Sequence, residues 1–243
     1  MTHKVRLYQY LRQRGIINTR EEAKALARAS QIKINGRIVP LLHFQFDPHK
    51  DIVVVNQKKI TSGRLPLKYY LLHKPVGFVT SKQRDRAKPH VMELFHEEQE
   101  LMHSLFPVGR LDFNTSGLLI VTNDGTVAKK ILDPVKKIEK EYWVEVESQL
   151  TVDDLANIEH GFMISVDNEK YTTLPAPIKI LNQNKHSTVY SLILREGKKR
   201  QIRLMMATLG HPVISLHRVR IGKLELGDLP VGKYKEISPS DII

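Results

Sequence analysis

The chain carries 243 residues with a mass of 28.0 kDa, which suits a small domain joined to a mid-sized one and exceeds one small module. Hydrophobic residues make up 41% and charged residues 26%, with 13 Gly and 12 Pro dispersed along the chain, a composition that excludes collagen-like and disordered classes. Lys and Arg number 38 against 26 Asp and Glu, a net charge of +12 that makes polyanions the first partners to consider.

No cysteine is present, so disulfide frameworks, thiolate zinc sites, iron–sulfur clusters and cysteine nucleophiles drop out together, and a reducing compartment, the cytoplasm, is expected. The first residues lack the apolar stretch of a signal peptide, and no run approaches the roughly 18 apolar residues of a membrane span, so no membrane partner is expected.

In chain order, Val5, Leu7, Tyr8 and Leu11 predict a short basic helix over 5–14 that Gly15 stops. Thr19 and Glu22, three apart, predict a capping box on a second helix that buries Ala23, Leu26 and Ala27 and exposes Arg20, Lys24 and Arg28. Ile32-Lys33-Ile34, the Asn35-Gly36 turn and Arg37-Ile38-Val39 predict a β-hairpin, and residues 51–55 a further strand. The polar, basic stretch 56–67, with a Ser-Gly turn and a proline, is expected to be a linker. The expected division is a small N-terminal domain over 1–60, a linker over 61–67 and a larger domain over 68–243. Beyond the linker, strands are expected at 69–73, 117–122, 141–147, 187–195 and 213–221, with helices near 126–132, 151–160 and 198–209. This irregular alternation predicts an α+β fold with a mixed sheet.

The most informative stretch is residues 109–125, Gly109-Arg110-Leu111-Asp112-Phe113-Asn114-Thr115-Ser116-Gly117, then Leu118-Leu119-Ile120-Val121-Thr122 and the turn Asn123-Asp124-Gly125. A polar loop here delivers an Asp ahead of a buried strand. Asp112, Asn114, Ser116 and Gly117 match the first half of a calcium loop, but the twelfth position holds Asn123 instead of Glu, and 118–122 has the pattern of a strand, so calcium is rejected. By pattern alone, Asp112 is a turn-former.

The same stretch resembles the signature of the RsuA family of pseudouridine synthases, GRLDxxTSGLLxxTNDG. Lys140-Glu141-Tyr142-Trp143-Val144, then Arg195-Glu196-Gly197-Lys198-Lys199-Arg200-Gln201-Ile202-Arg203 with Leu209-Gly210-His211-Pro212-Val213, resemble that family in the right order. The C-terminal segments 216–222 and 226–232 extend the likeness over roughly 68–237, and residues 5–55 resemble the S-four-type RNA-binding domain, which gives the N-terminal unit a small α/β fold. Ser30 stands where relatives of that module usually have Gly.

The resemblance implies isomerisation of a specific uridine in ribosomal RNA, or in a ribosome assembly intermediate, by a monomeric enzyme that needs no cofactor. It places the catalytic aspartate at Asp112, the active-site tyrosine at Tyr142 and its arginine partner at Arg203. Ile202 becomes the adjacent apolar wall, and Arg110 the side chain that enters the helix stack when the base leaves it. Uridine isomerisation breaks an N-glycosidic bond, turns the base and rejoins it through carbon, so Asp112 acts either as nucleophile or as base, and ionised in both cases. A guanidinium within about 4 to 6 Å would oppose the effect of burial on that carboxylate.

Pattern alone is more modest. Alternation from Glu141 to Glu147 makes Tyr142 an ordinary core tyrosine beside Val144 and Val146, and Arg203, four residues from Lys199, an ordinary solvated residue of its helix. Extruding a stacked uridine costs a few kcal/mol, and basic side chains would hold the phosphates. Lys199 and Arg200 within 198–200, Lys136-Lys137, the run from Lys82 to Lys88, His217-Arg218 with Arg220, and N-terminal Arg6, Arg20 and Lys24 supply them. The 11 histidines form no HExxH or close zinc spacing, and no phosphate loop, GxGxxG turn or GxSxG elbow occurs, so metal, ATP and dinucleotide chemistry find no support. A non-catalytic RNA-binding ribosome assembly factor shares charge and N-terminal module and differs only in whether Asp112 works.

Overall fold

The computed structural model of the chain describes residues 4–17, 19–60, 65–80, 88–95 and 104–242. They divide into two units, Met1–Lys68 with Phe95–Leu105, and Tyr69–Leu94 with Phe106–Ile243.

In the first unit β1 (Val5–Arg6) leads into α1 (Leu7–Gln13), so the predicted helix begins two residues late. Then α2 (Arg20–Arg28) starts at Thr19, whose Oγ1 accepts from the Glu22 amide at 3.1 Å, and Arg20, Lys24 and Arg28 lie exposed along it. The predicted hairpin is present as β2 (Ile32–Ile34) and β3 (Arg37–Ile38), with φ of 50° at Asn35 and 80° at Gly36, the two left-handed residues of a type I′ turn. After β4 (Gln45–Phe46), which pairs with β1, come β5 (Val53–Val55) and β6 (Lys58–Lys59).

Residues 56–59, read as the start of a linker, are thus the tip and second arm of a hairpin. Asn56 and Gln57 take φ of 49° and 63°, a turn built without glycine that composition did not reveal. The sheet order is β3-β2-β5-β6, and Leu7, Leu11, Ile17, Ala23, Ile32, Phe46 and Val53 form the core beneath it.

The second unit opens with β7 (Tyr69–Lys74), β8 (Phe106–Val108), β9 (Ser116–Thr122) and α3 (Gly125–Leu132). The expected Asn-Asp-Gly turn is the start of α3, where Asp124 Oδ1 accepts from the Thr126 amide at 2.8 Å. Then follow β10 (Lys140–Val146), α4 (Val152–His160), β11 (Met163–Val166), β12 (Glu169–Thr172), β13 (Ile178–Gln183), β14 (Thr188–Leu194), α5 (Gln201–Thr208), β15 (Val213–Ile221), β16 (Leu224–Glu225) and β17 (Tyr234–Glu236). Among the described residues nine strands form one sheet in the order β13-β14-β10-β15-β9-β7-β17, with β16 on β15 and β8 on β9. Its pairs are antiparallel except β15 with β9, so the sheet is mixed and the fold α+β, as expected.

Val144, Val146, Tyr190, Leu192, Ile202 and Met205 make one core, and Leu71, Leu118, Ile120, Ala128 and Ile131 another. None of the described helices is long and apolar enough to cross a membrane.

Two features of this sheet position the site. At Gly117, where β9 meets β15 in parallel, a Cβ would lie 2.2 Å from the Arg218 carbonyl, so only glycine permits the approach. On the other side of β15 the register with β10 shifts: Tyr142 opposes Arg218, while Glu141 opposes Arg220. One step on β10 spans two on β15, so Val219 is bulged, and Arg218 and Arg220 face opposite sides of the sheet.

Candidate active site

Asp112 lies in the loop between β8 and β9, half-buried, and the backbone of that loop is held residue by residue. The Leu111 carbonyl accepts from Thr80 Oγ1 at 2.7 Å, Asp112 from Lys74 Nζ at 3.1 Å, and Phe113 from the Gly77 amide at 2.8 Å. The Asn114 carbonyl accepts from an Arg203 Nη at 2.7 Å, and Thr115 from Lys74 Nζ at 2.7 Å. Five consecutive carbonyls are therefore fixed by β7, the turn after it and α5. Such support holds the backbone of the Asp112 loop to one geometry.

Lys74 is the centre of that clamp. It is 0% exposed, and its third bond goes to the Pro75 carbonyl at 3.0 Å, so the three protons of the ammonium are all used. Burial pushes Lys74 down to about 8, against the upward pull of the Asp112 charge and with a further push from Arg218. No motif considered in the sequence contained Lys74 or Thr80. Periodicity could not find them, because β7 is buried throughout and a lysine there has the place of a core residue.

The cavity over Asp112 has a volume of about 510 Å³, within the roughly 300 to 1,000 Å³ of small-molecule sites. Its lining includes Asp112, Tyr142, Ile202, Arg110, Lys199 and Arg200, so six of the residues expected at the site converge. Among the described residues six basic side chains line it against one carboxylate, Asp112. Tyr142 is half-buried on β10, and its Oη accepts from Arg218 Nη1 at 3.5 Å. Ile202 is buried on α5; Arg110, Lys199 and Arg200 are exposed.

The arginine expected to pair with Asp112 is placed differently. Arg203 is close enough for the Asp112 charge to act on it, but its hydrogen bonds go to the carbonyls of Asn114 and, at 3.3 Å, Val213. Among the described residues no ion pair to Asp112 occurs. Burial, and then Arg200, lower the Arg203 pKa, while Asp112 raises it.

The basic loop 197–200 is shaped from behind. The helix expected from 198 begins only at Gln201, because Arg200 takes φ 52°. Gln201 Oε1 accepts from the Lys198 amide at 3.0 Å, and its Nε2 donates to Glu196 at 2.5 Å. Glu196 also accepts from Tyr171 Oη on β12 and from the Leu174 amide at 3.0 Å. Lys198 Nζ lies 4.4 Å from the centre of the Tyr171 ring, and Lys199 Nζ is 2.5 Å from Asp167 in the β11–β12 turn. None of the strands β11 to β13 was expected from the sequence; Asp167 and Asn168, at φ 49° and 69°, make another glycine-free turn.

Of the basic clusters, His217-Arg218 with Arg220 does not form a phosphate surface. The bulge sends Arg220 to the far face, where it pairs with Glu141 at 2.9 Å and Glu139 at 3.3 Å, while Arg218 is 3% exposed in the cavity wall. Residues 82–87 of the run that ends at Lys88 lie outside the described residues. Arg6, Arg20 and Lys24 are exposed in the first unit. Among the described residues no group of three or more His, Cys, Asp or Glu side chains is placed to hold a metal ion.

Residues 68–208 match the family described as RNA pseudouridylate synthase. The ribosomal large subunit pseudouridine synthase B of Bacillus subtilis is 32% identical over 98% of this chain and 93% of its own length. The ribosomal small subunit pseudouridine synthase A of Escherichia coli K12 is 32% identical over 88% of this chain and 89% of its own. A crystal structure of a pseudouridylate synthase superposes with a TM-score of 0.67 at 30% identity, covering 98% of this chain and 97% of that one. On this match of sequence and fold, the chain belongs to the RNA pseudouridylate synthase family, in its RsuA/RluB-type branch of isomerases.

Proposed function

We propose that the enzyme converts a specific uridine of ribosomal RNA to pseudouridine with Asp112 as the catalytic carboxylate. The observation that carries this is the clamped loop, which presents the Asp112 carboxylate to a cavity walled by Tyr142, Ile202 and basic side chains. The two relatives described above are named for large- and small-subunit ribosomal RNA.

Asp112 then either attacks the ribose as nucleophile or takes its 2′ proton. Tyr142 stacks on the detached base against Ile202, and Arg203 is a positioning residue that holds the Asp112 loop through Asn114. The exposed Lys199 and Arg200 bind phosphate, and Arg110 fills the place of the flipped uridine. Arg6, Arg20 and Lys24 of the N-terminal domain add sequence-independent grip. The groups assigned these roles all belong to one chain, which supports a monomer, and the cysteine-free composition suits the cytoplasm.

Mapping pseudouridine across both ribosomal RNAs from cells with and without the protein tests the proposal, with free RNA and isolated assembly particles as separate substrates in vitro. One uridine should lose modification in the deletion and regain it with the wild-type chain and not with Asp112→Asn. An unchanged map would make the protein an RNA-binding assembly factor.

A further inference from the structure

Arg218 has no part in the roles assigned above, yet it sits in the wall of the same cavity. Its Nε donates to the Leu118 carbonyl at 2.8 Å and Nη1 lies 3.5 Å from Tyr142 Oη, while Nη2 is buried without a hydrogen-bond partner. Burying a guanidinium with an idle donor is unfavourable, because water has been removed and nothing replaces it. The neighbourhood adds repulsion: Arg218 is close enough to Lys74 and to Lys140 to depress both. Such an excess of buried positive charge is what a site for a group that develops negative charge requires.

Exposure separates the cations of the cavity by task. Arg110, Lys198, Lys199 and Arg200 are exposed and suit phosphates, which remain in water. Arg218 can meet only a group that has itself left water. Its strand partner is Tyr142, and its guanidinium carbon stands 5.9 Å from the centre of that ring with Nη1 near the hydroxyl, so a base bound beside the tyrosine comes within its reach.

We infer that Arg218 donates through Nη2 to a carbonyl oxygen of the target uracil and stabilises the charge that the base carries while detached. This rests on the uridine isomerisation proposed above. When the C1′–N1 bond breaks, its electron pair leaves with the base, giving a uracil anion with charge over N1, O2 and O4. The anion turns and C5 bonds to C1′; the displaced pair returns to Asp112 if its carboxylate held C1′, or passes to C2′, which takes its proton back from Asp112, if Asp112 acted as base. The C5 proton then passes to solvent, and N1, freed from the ribose, gains one. Arg218 would be a catalytic residue for the first of these steps.

The test uses a short ribosomal RNA fragment that the wild-type enzyme modifies, made with uridine, 2-thiouridine or 4-thiouridine at the target, and separately with a neutral methylphosphonate at its 5′ phosphate. Arg218→Lys and Arg218→Gln should lower the single-turnover rate constant about 100-fold, the loss typical of one removed oxyanion donor. Their RNA Kd should stay within about threefold, since a contact made in the transition state does not add to ground-state binding. One of the thio substitutions should slow the wild type about tenfold and have little further effect on the variants, because both changes remove the same bond. Arg220→Gln, on the opposite face, should retain the wild-type rate.

Additive effects of variant and sulfur would overturn the inference, as would a variant whose Kd weakens and whose loss is shared with the methylphosphonate, which would make Arg218 a phosphate contact. If neither variant folds, the wild type decides alone: equal rates on all three bases overturn the assignment. Absence of any wild-type turnover on ribosomal RNA sinks the proposed function, whereas normal turnover by Arg218→Lys and Arg218→Gln sinks only the role of Arg218.

Discussion

Lys74 Nζ lies 3.1 Å from the backbone carbonyl of Asp112, so the aspartate proposed as catalytic is tied to a buried lysine through its main chain and not through its carboxylate. Two further bonds from the same nitrogen, to Pro75 and Thr115, make the ammonium a three-point clamp on two segments.

Lys74→Met should therefore slow isomerisation about 100-fold and cost about 1 to 3 kcal/mol of stability, from carbonyls left without a partner. The wild type should also show a basic limb near pH 8. A neutral amine has two protons for three carbonyls, so the clamp loosens as Lys74 titrates at about 8. The stability contribution of this group has the opposite sign. Its pKa is lowered from 10.5, so the unfolded chain binds more protons between about 8 and 10.5, and the cost of burying the charge is relieved as pH rises through that window. Rate against pH and chemical denaturation at pH 7.5 and 9.5 check both. A flat rate profile through pH 9.5 would remove Lys74 from the positioning of Asp112.

Asp112→Asn should abolish turnover, by about a thousandfold or more, while melting and RNA affinity stay near wild type. The prediction of an intact fold is structural: the clamp uses the Asp112 carbonyl, which asparagine keeps. Tritium release from uridine labelled at carbon 5 measures the loss. Residual activity within tenfold of wild type would exclude Asp112 as the catalytic group.

Arg203→Met frees the carbonyls of Asn114 and Val213 and should lower kcat about 100-fold with a smaller change in KM. Arg203→Lys keeps the charge near Asp112 but not the fork that reaches both carbonyls, so it should recover only part of the rate. Full activity in the lysine variant would show that charge alone matters.

Gly117→Ala places a methyl 2.2 Å from the Arg218 carbonyl at a residue with φ 106°. Separation of β9 from β15 should lower the melting temperature by about 10 °C, as expected for roughly 3 kcal/mol in a domain of this size. Scanning calorimetry decides; a change within 2 °C would mean the strands adjust without cost.

Arg20→Ser with Lys24→Ser removes two exposed charges from α2 and leaves its Thr19 cap. If both contact phosphate, the slope of log affinity against log salt should fall by about 0.7 to 0.9 per contact, with the single-turnover rate at saturating RNA unchanged. An unchanged slope would exclude this helix face as an RNA surface.

The order of the main elements was legible in the sequence wherever local chemistry decides: the Asn35-Gly36 hairpin, the Thr19 cap, and the apolar runs that become β7, β9 and β15. The signature around Asp112, with Tyr142 and residues 195–203, likewise pointed to the family, and Asp112, Tyr142 and residues 197–202 share one cavity. Turns made without glycine at Asn56-Gln57 and Asp167-Asn168 hid two hairpins, because residues that tolerate left-handed φ do not announce it.

What only the tertiary structure decided concerns partners distant in the chain. Lys74 reaches carbonyls 38 and 41 residues away, and Arg203 one 89 residues away, and no periodicity encodes such pairs. The bulge at Val219 separates Arg218 from Arg220, which the sequence presents as one basic cluster, because a single extra residue turns one guanidinium into the cavity and the other out to a pair of glutamates.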